Sequence, residues 1–240
     1  MAEVVNETEK KGGELEIMFR AGVQFGYSRS RRHPSMAGFI NGVKNNVEIF
    51  DLEGTLDALE KAEKFLISIG EAKKNVLWVG TKPPVRLLIE KFAKSLSHSY
   101  VAGRWIGGTL TNAKIIRDRI KYFEDLKKKK ETGELEKYTK KEKLRIIREI
   151  KTLGEKFSGI ENLKNDLEAI IIVDPKEEKT AFSEARRISL PVIAILSSDN
   201  DLSKVAYPIP GNDSSSSSLD YLLGKLAKAY QLGVSRSIQN

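Results

Sequence analysis

The run YSRSRRHPSM sets Arg29, Arg31, Arg32 and His33 among hydroxyls and an aromatic ring, with no acid between them. Forked guanidinium groups bind phosphates, and flat side chains stack on unpaired bases, so this pattern suits contact with a nucleic-acid strand. A disordered basic loop is the plainer alternative, and the apolar neighbours Phe25, Met36, Phe39 and Ile40 argue against it. A second stretch, RWIGGTLTN, places Arg104, Trp105 and Asn112 around two glycines, directly before a long charged helical pattern. Trp105 is expected to pack under the base of that pattern, the glycines to turn the chain and Thr111 to cap the helix. Arg104, the glycine backbone and Asn112 are expected to meet phosphates as well.

The candidates for catalysis are Gly80, Thr81 and Lys82, then Asp174, then Ser197, Ser198, Asp199 and Asn200. Each group follows an apolar strand, where ligands of open α/β sheets bind. GTK before a helix could hold a phosphate through backbone N–H groups and the lysine. Yet GxGxxG, GxxxxGK[ST] and GxSxG are all absent. For Thr81 and Asp174, capping is the better reading than catalysis. His98 is read as a packed or solvent-facing imidazole, since no nucleophile and acid accompany it.

Composition narrows the choice. The chain lacks cysteine, and its two histidines lie far apart, which leaves no thiolate metal site and no local zinc pair. No metal and no cofactor are expected. No apolar run reaches the roughly 20 residues that span a bilayer, and the start MAEVVNETEKKGG lacks the apolar core of a signal peptide. A cytoplasmic protein that meets no membrane is expected. The net charge is +8, and two segments hold more than all of it. Residues 110–160 carry 16 Lys or Arg against 9 Asp or Glu, and residues 17–47 carry five against none. Basic segments on a mildly acidic body point to a polyanion held at particular surfaces.

These residues need elements to position them. ELEIMFRAG reads as a short helix with Leu15, Met18 and Phe19 on one face, stopped at Gly22. VQFGYSRSRRHPSMAGFINGVKNN reads as an irregular but ordered surface segment. VEIF, NVLWVG, HSYV, AIIIVD, PVIAIL and VAYPI read as strands alternating with helices, which implies a parallel sheet with helices on both sides. Asp174, Pro175 and Glu177 read as a helix start. A final helix is predicted to bury Leu219, Leu222, Leu223, Leu226 and Tyr230.

One segment breaks the rhythm. Ala113, Ile116, Ile120 and Phe123, and then Leu144, Ile147, Ile150, Leu153 and Phe157, recur at helical spacing around the turn GELEKY. This describes an antiparallel helical hairpin inserted in the sheet domain, with Thr139 and Glu142 as a capping box for its second arm. Its lysine-rich exterior adds Lys114, Arg117, Lys127, Lys128, Lys140 and Lys141 as candidate phosphate contacts, although charge runs are more often solvated faces. The expected organisation is a polar tail over 1–13, a sheet domain over 14–109 and 158–232, the hairpin over 110–157 and a tail over 233–240.

The ordered series AGVQFGYSRSRRHPSM, FDLEGTLDAL, LWVGTK, RWIGGTLTN, YTKKEKLRIIREI, IIIVDPKEE, EARRISLPVIAI and YPIPGND resembles the second protein of the small ribosomal subunit, in its bacterial form. The similarity spans about residues 15 to 232. It implies a flavodoxin-like five-stranded parallel sheet flanked by helices, with an inserted coiled-coil hairpin. It implies no catalysis, but binding of small-subunit ribosomal RNA and help in docking neighbouring ribosomal proteins, including the large mRNA-binding first protein. The residues expected to contact that RNA, from their own chemistry and placement, are Arg29, Arg31, Arg32, His33, Lys44, Arg104, Trp105 and Asn112 with the hairpin cations. The chain would sit in the cytoplasm within that subunit, not as a homo-oligomer. The family usually has histidines where this chain has Gln24 and Tyr27, and an aspartate and a threonine near Ser197 and Ser198. Two rival readings remain at this stage: an α/β enzyme for a phosphorylated small molecule, using Lys82 and residues 197–200, and a hairpin that docks proteins.

Overall fold

A computed structural model describes residues 2–163 and 166–239. Its centre is a five-stranded sheet of β4 (Asn75–Val79), β5 (Tyr100–Val101), β6 (Leu167–Val173), β7 (Val192–Leu196) and β8 (Tyr207–Pro210). These pair in parallel in the order β5-β4-β6-β7-β8, the order of flavodoxin-like sheets. Side chains alternate across a strand, so each apolar run serves two cores. Val76, Trp78, Ile171, Val173, Ile193 and Ile195 face one, while Leu77, Val79, Ile170, Ile172, Ala194 and Leu196 face the other.

The first core is closed by α1 (Ala2–Ala21), α2 (Leu52–Glu71), α3 (Pro83–Ser95) and α7 (Ser216–Gln239). Leu56, Leu59, Ala62 and Leu66 of α2 are buried, as are all five predicted positions of α7. Helices α2 and α7 come close because Gly70 and Gly233 face each other's backbone. A Cβ on Gly233 would stand 2.1 Å from the Ile67 carbonyl oxygen. The second core lies under α4 (Ala113–Glu131), α5 (Lys140–Phe157) and α6 (Lys179–Arg187).

Several expectations need correction. VEIF is not a strand of the parallel sheet. It is β3 (Val47–Phe50), the middle of a separate antiparallel sheet with β1 (Phe25–Ser28) and β2 (Ile40–Lys44), inside the segment read as irregular. Only Glu48 and Phe50 of β3 are buried, the one-sided burial of an antiparallel strand. Asn45 and Asn46 join β2 to β3 with φ of 51° and 64°, the two positive values of a type I′ turn.

The tails at 1–13 and 233–240 do not stand apart from helix. Helix α1 starts at Ala2, and α7 continues to Gln239, held against α2 at Gly233. Gly22 does end α1, with φ of 77°; its N–H donates to the Phe19 carbonyl and the Val23 N–H to the Met18 carbonyl, but Phe19 points outward.

Helices α4 and α5 lie in the connection from β5 to β6 and meet at Tyr122, whose hydroxyl donates to Glu149 at 3.0 Å, and at Phe123 against Gly154. Ile116, Ile120, Phe123 and Phe157 are buried, whereas Leu144 is exposed. The Thr139–Glu142 capping box is formed. Asp174 Oδ1 does accept the Lys176 and Glu177 N–H groups, at 3.1 and 3.4 Å, as a cap would, but with φ of 59° it closes a turn there, and α6 begins only at Lys179.

Candidate nucleic-acid interface

After β1 the chain makes a short 3₁₀ turn, Arg29–Arg31, and rises beside the carboxyl end of β7. Two backbone bonds fix it there. The Tyr27 N–H donates to Ser198 Oγ at 2.9 Å, and the His33 N–H donates to the Ser198 carbonyl at 2.8 Å. Gly26 allows this approach, because a Cβ there would meet Ser198 Oγ at 3.0 Å. Arg29 and Arg31 project outward, with the Arg31 guanidinium 5.4 Å from the centre of the Tyr27 ring.

Arg32 differs from its neighbours. Its Nε lies 3.4 Å from Glu48 Oε1, and Glu48 is wholly buried. A buried carboxylate needs a cation, so Arg32 serves the scaffold first. His33 is half-buried and engaged locally: Nδ1 lies 2.8 Å from Ser35 Oγ and accepts the Ser35 N–H. Lys44, beside the β2–β3 turn, is exposed.

The loop RWIGGTLTN is organised by a residue the sequence reading passed over. Glu184, on the inner face of α6 and 8% exposed, accepts five hydrogen bonds from the loop. Its Oε1 takes Trp105 Nε1 at 2.9 Å and the Gly108 N–H at 2.8 Å. Oε2 takes the Leu110 N–H at 3.0 Å, the Thr111 N–H at 3.3 Å and the Thr111 hydroxyl at 3.2 Å. Desolvation alone would push this carboxyl up, but the donors of Trp105, Gly108, Leu110 and Thr111 outweigh it and hold it below its usual range. Gly108 turns the chain with φ of 92°, and the Thr109 N–H returns to the Ile106 carbonyl.

Two expectations fall here. Thr111 does not cap α4, since its hydroxyl goes to Glu184 and Asn112 occupies the cap position without a side-chain bond. Trp105 packs under the helix base, as expected, but its buried ring and engaged N–H make it scaffold and not a surface contact. Arg104 and Asn112 remain exposed beside it.

On the helices, Lys114, Arg117, Lys128, Lys140 and Lys141 are exposed. Lys127 is taken: its Nζ pairs with Glu161 at 2.8 Å and lies 4.6 Å from the centre of the Phe123 ring. Thus Arg29, Arg31 and Arg104 share the carboxyl edge of the parallel sheet, while Lys140 and Lys141 lie at the turn between α4 and α5.

The groups proposed for catalysis are occupied by one another. Lys82 Nζ pairs with Asp174 and, at 3.1 Å, with Asp213, and it reaches the Tyr27 hydroxyl at 3.4 Å. Burial presses the lysine toward neutrality, yet the two carboxylates prevail and push it up, so the ammonium stays charged. Asp213 is pushed up to about 6 by burial, which the nearby lysine only partly offsets. Glu178 accepts the Thr81 N–H at 2.7 Å. Asp199 pairs with Lys176 at 2.8 Å, and Asn200 accepts the Lys176 N–H at 3.0 Å. His98 is buried and accepts the Trp78 indole N–H at 3.1 Å.

The family described as Ribosomal protein S2 matches residues 18–233. A small ribosomal subunit protein uS2 of Spiroplasma citri is 38% identical over 215 residues, covering 90% of this chain and 60% of that protein. This chain therefore spans about three fifths of the Spiroplasma protein's length. The uS2 protein of Mesoplasma florum is 38% identical over 213 residues, or 89% of this chain and 80% of its own. The uS2c protein of Cyanophora paradoxa is 36% identical over 215 residues, covering 90% and 92%. The chain belongs to the ribosomal protein S2 family, whose members are structural proteins of the ribosome and not enzymes.

Proposed function

We propose that this protein is a structural constituent of the small ribosomal subunit in the cytoplasm, where it binds small-subunit ribosomal RNA and helps neighbouring ribosomal proteins dock, the large mRNA-binding first protein among them. The observation that carries the reading is the rigid display of Arg29 and Arg31. Both are exposed on a 3₁₀ turn whose backbone is tied to Ser198 and whose third arginine is tied to a buried glutamate. Cations presented on a fixed frame bind phosphates without first losing conformational freedom. Arg104, Asn112 and Lys44 extend the contact, with Lys114, Arg117, Lys128, Lys140 and Lys141 on α4 and α5, which act as a projecting antiparallel coiled-coil arm. Trp105 supports this surface from within, and Arg32, His33 and Lys127 brace it through their own partners, Glu48, Ser35 and Glu161.

The test is sedimentation of the tagged protein from a lysate at low and high salt, beside an Arg29→Ala/Arg31→Ala variant. Co-migration of the wild type with the small subunit is expected, with weaker retention of the variant and a shallower dependence of that retention on salt. Migration as a free protein at both salts would overturn the reading. A second reading, in which the far end of the arm docks a protein, is favoured by one observation: Tyr138 and Leu144 are exposed there. Deleting residues 124–149 would then spare the RNA contact and lose a neighbour from the particle.

A further inference from the structure

The Glu184-held loop and the bases of α4 and α5 enclose a groove of about 520 Å³. Three cations from three elements line it: Arg104 from the loop, Arg119 from α4 and Lys156 from the last turn of α5. Among the described residues, no carboxylate lines it. Ile106, Ile115 and Leu153 form its walls, and Ile115 is 55% exposed although it flanks the buried base of the helix. The groove on the neighbouring side of α4 is different, with Glu124 and Glu161 set beside Arg117 and Lys121. That second groove balances its own charge, and the first does not.

Cations gathered in a partly enclosed, acid-free groove raise the local potential and favour an anion over any neutral occupant. The aliphatic walls add the apolar surface that a flat base covers, and a guanidinium can stack on the same base. Gly107 leaves the rim uncovered, since a Cβ there would meet nothing within 4 Å. We propose that this groove holds one unpaired nucleotide of the bound RNA, its phosphate between Arg104, Arg119 and Lys156 and its base against Ile106, Ile115 and Leu153. This assignment rests on the RNA-binding reading above and adds Arg119 and Lys156, which the sequence did not single out.

The experiment uses the full chain and a fluorescein-labelled oligouridylate of about ten nucleotides, a length within single-strand site sizes. Fluorescence anisotropy across a salt series gives the affinity and its slope. An Arg119→Gln/Lys156→Gln variant is compared with a Lys61→Gln/Lys64→Gln variant, which makes the same charge change on the exposed side of α2. The groove neutralises one phosphate, so the groove variant is expected to lower the salt slope by up to about 0.7 while the α2 variant keeps the wild-type slope. Leu153→Ser is expected to weaken binding with no change in slope, because it removes base contact and no charge.

Equal losses in the two double variants would overturn the groove, since net charge alone would explain them. Both wild-type and groove variant co-migrating with the small subunit, with unchanged oligouridylate binding, would overturn the groove and leave the ribosomal reading standing. Failure of the wild type to co-migrate at all would remove that reading and the groove with it. A groove variant that keeps its RNA affinity but loses a protein neighbour from the particle would mark the groove as a protein site and overturn the proposal.

Discussion

Replacing Glu184 by glutamine changes one atom in size terms and much in hydrogen bonding. The carboxylate takes two donors on Oε1 and three on Oε2. Glutamine keeps one oxygen and turns an NH₂ toward the other set, where donor meets donor. Hydrogen bonds to a charged group contribute about 1.5–3 kcal/mol each, and neutral ones about 0.5–1.5. The pair kept on the amide oxygen therefore loses about 1 kcal/mol per bond. The buried donors on the other side lose their acceptor at a further 1 kcal/mol or more. Because Thr111 is exposed and water replaces part of its bonding, a total of about 3 kcal/mol is expected. For a chain of this size that is a fall in Tm of roughly 6–12 °C.

Urea unfolding at pH 7 gives the difference directly, with a thermal melt beside it. The pH dependence supplies a second check. Because the folded carboxyl lies below its usual value of 4.5, its contribution is complete above that value and is lost as pH falls through the folded one. The gap between wild type and Glu184→Gln should thus narrow in acid. A destabilisation under about 0.5 kcal/mol, or a gap unchanged down to pH 3, would refute the view that Glu184 organises the loop.

Lys82→Met leaves Asp174 and Asp213 facing each other without their cation, and should cost about 3–5 kcal/mol at pH 7. Asp213 is already raised to about 6, so its contribution is greatest below 3.8 and is lost as pH rises through 6; the variant's deficit should shrink between pH 7 and pH 5, and a deficit that grows there would count against the triad. Gly233→Ala drives a Cβ to 2.1 Å from the Ile67 carbonyl, so α2 and α7 must separate, at about 1–3 kcal/mol in urea unfolding; an unchanged midpoint would show that the contact is looser than it looks. Thr139→Ala removes the capping box of α5 and should cost about 1 kcal/mol, read as a lower midpoint with an unchanged m-value.

The parallel sheet was legible because its strands are buried on both faces and read as unbroken apolar runs such as AIIIV. The final helix was legible for the matching reason, its leucines repeating at 3.6. VEIF misled because a four-residue strand looks alike in either sheet; the sign of the antiparallel sheet was the charged Glu48 within it and the Asn45–Asn46 pair before it. Arg29 and Arg31 were legible as exposed cations, but the same spacing could not tell them from Arg32, whose partner is a glutamate sixteen residues on. Glu184 lies 73–79 residues from its donors, so no local pattern reports it. One sign was available. It sits with Ala181 and Ala185 on the buried face of a helix, where a carboxylate needs donors from elsewhere.

That distribution of signals bears on why this sheet serves as scaffold. In open α/β sheets the strand order reverses at one point, and ligands bind in the crevice that opens there. Here the reversal lies between β4 and β6, and the residues that follow those strands include Lys82 and Asp174. The crevice is closed by the chain's own ions, a lysine between two carboxylates, and Tyr27 of the small antiparallel sheet lies across them. A cation that would otherwise meet a phosphate is thereby committed to the fold, and the side chains free to meet one are displaced to the rim, at Arg29, Arg31 and Arg104. The small sheet does both things at once: its inner face covers the crevice, and its edge presents the arginines. Losing the Lys82 pairing should therefore loosen the display of Arg31 as well as destabilise the core, since Tyr27 touches both.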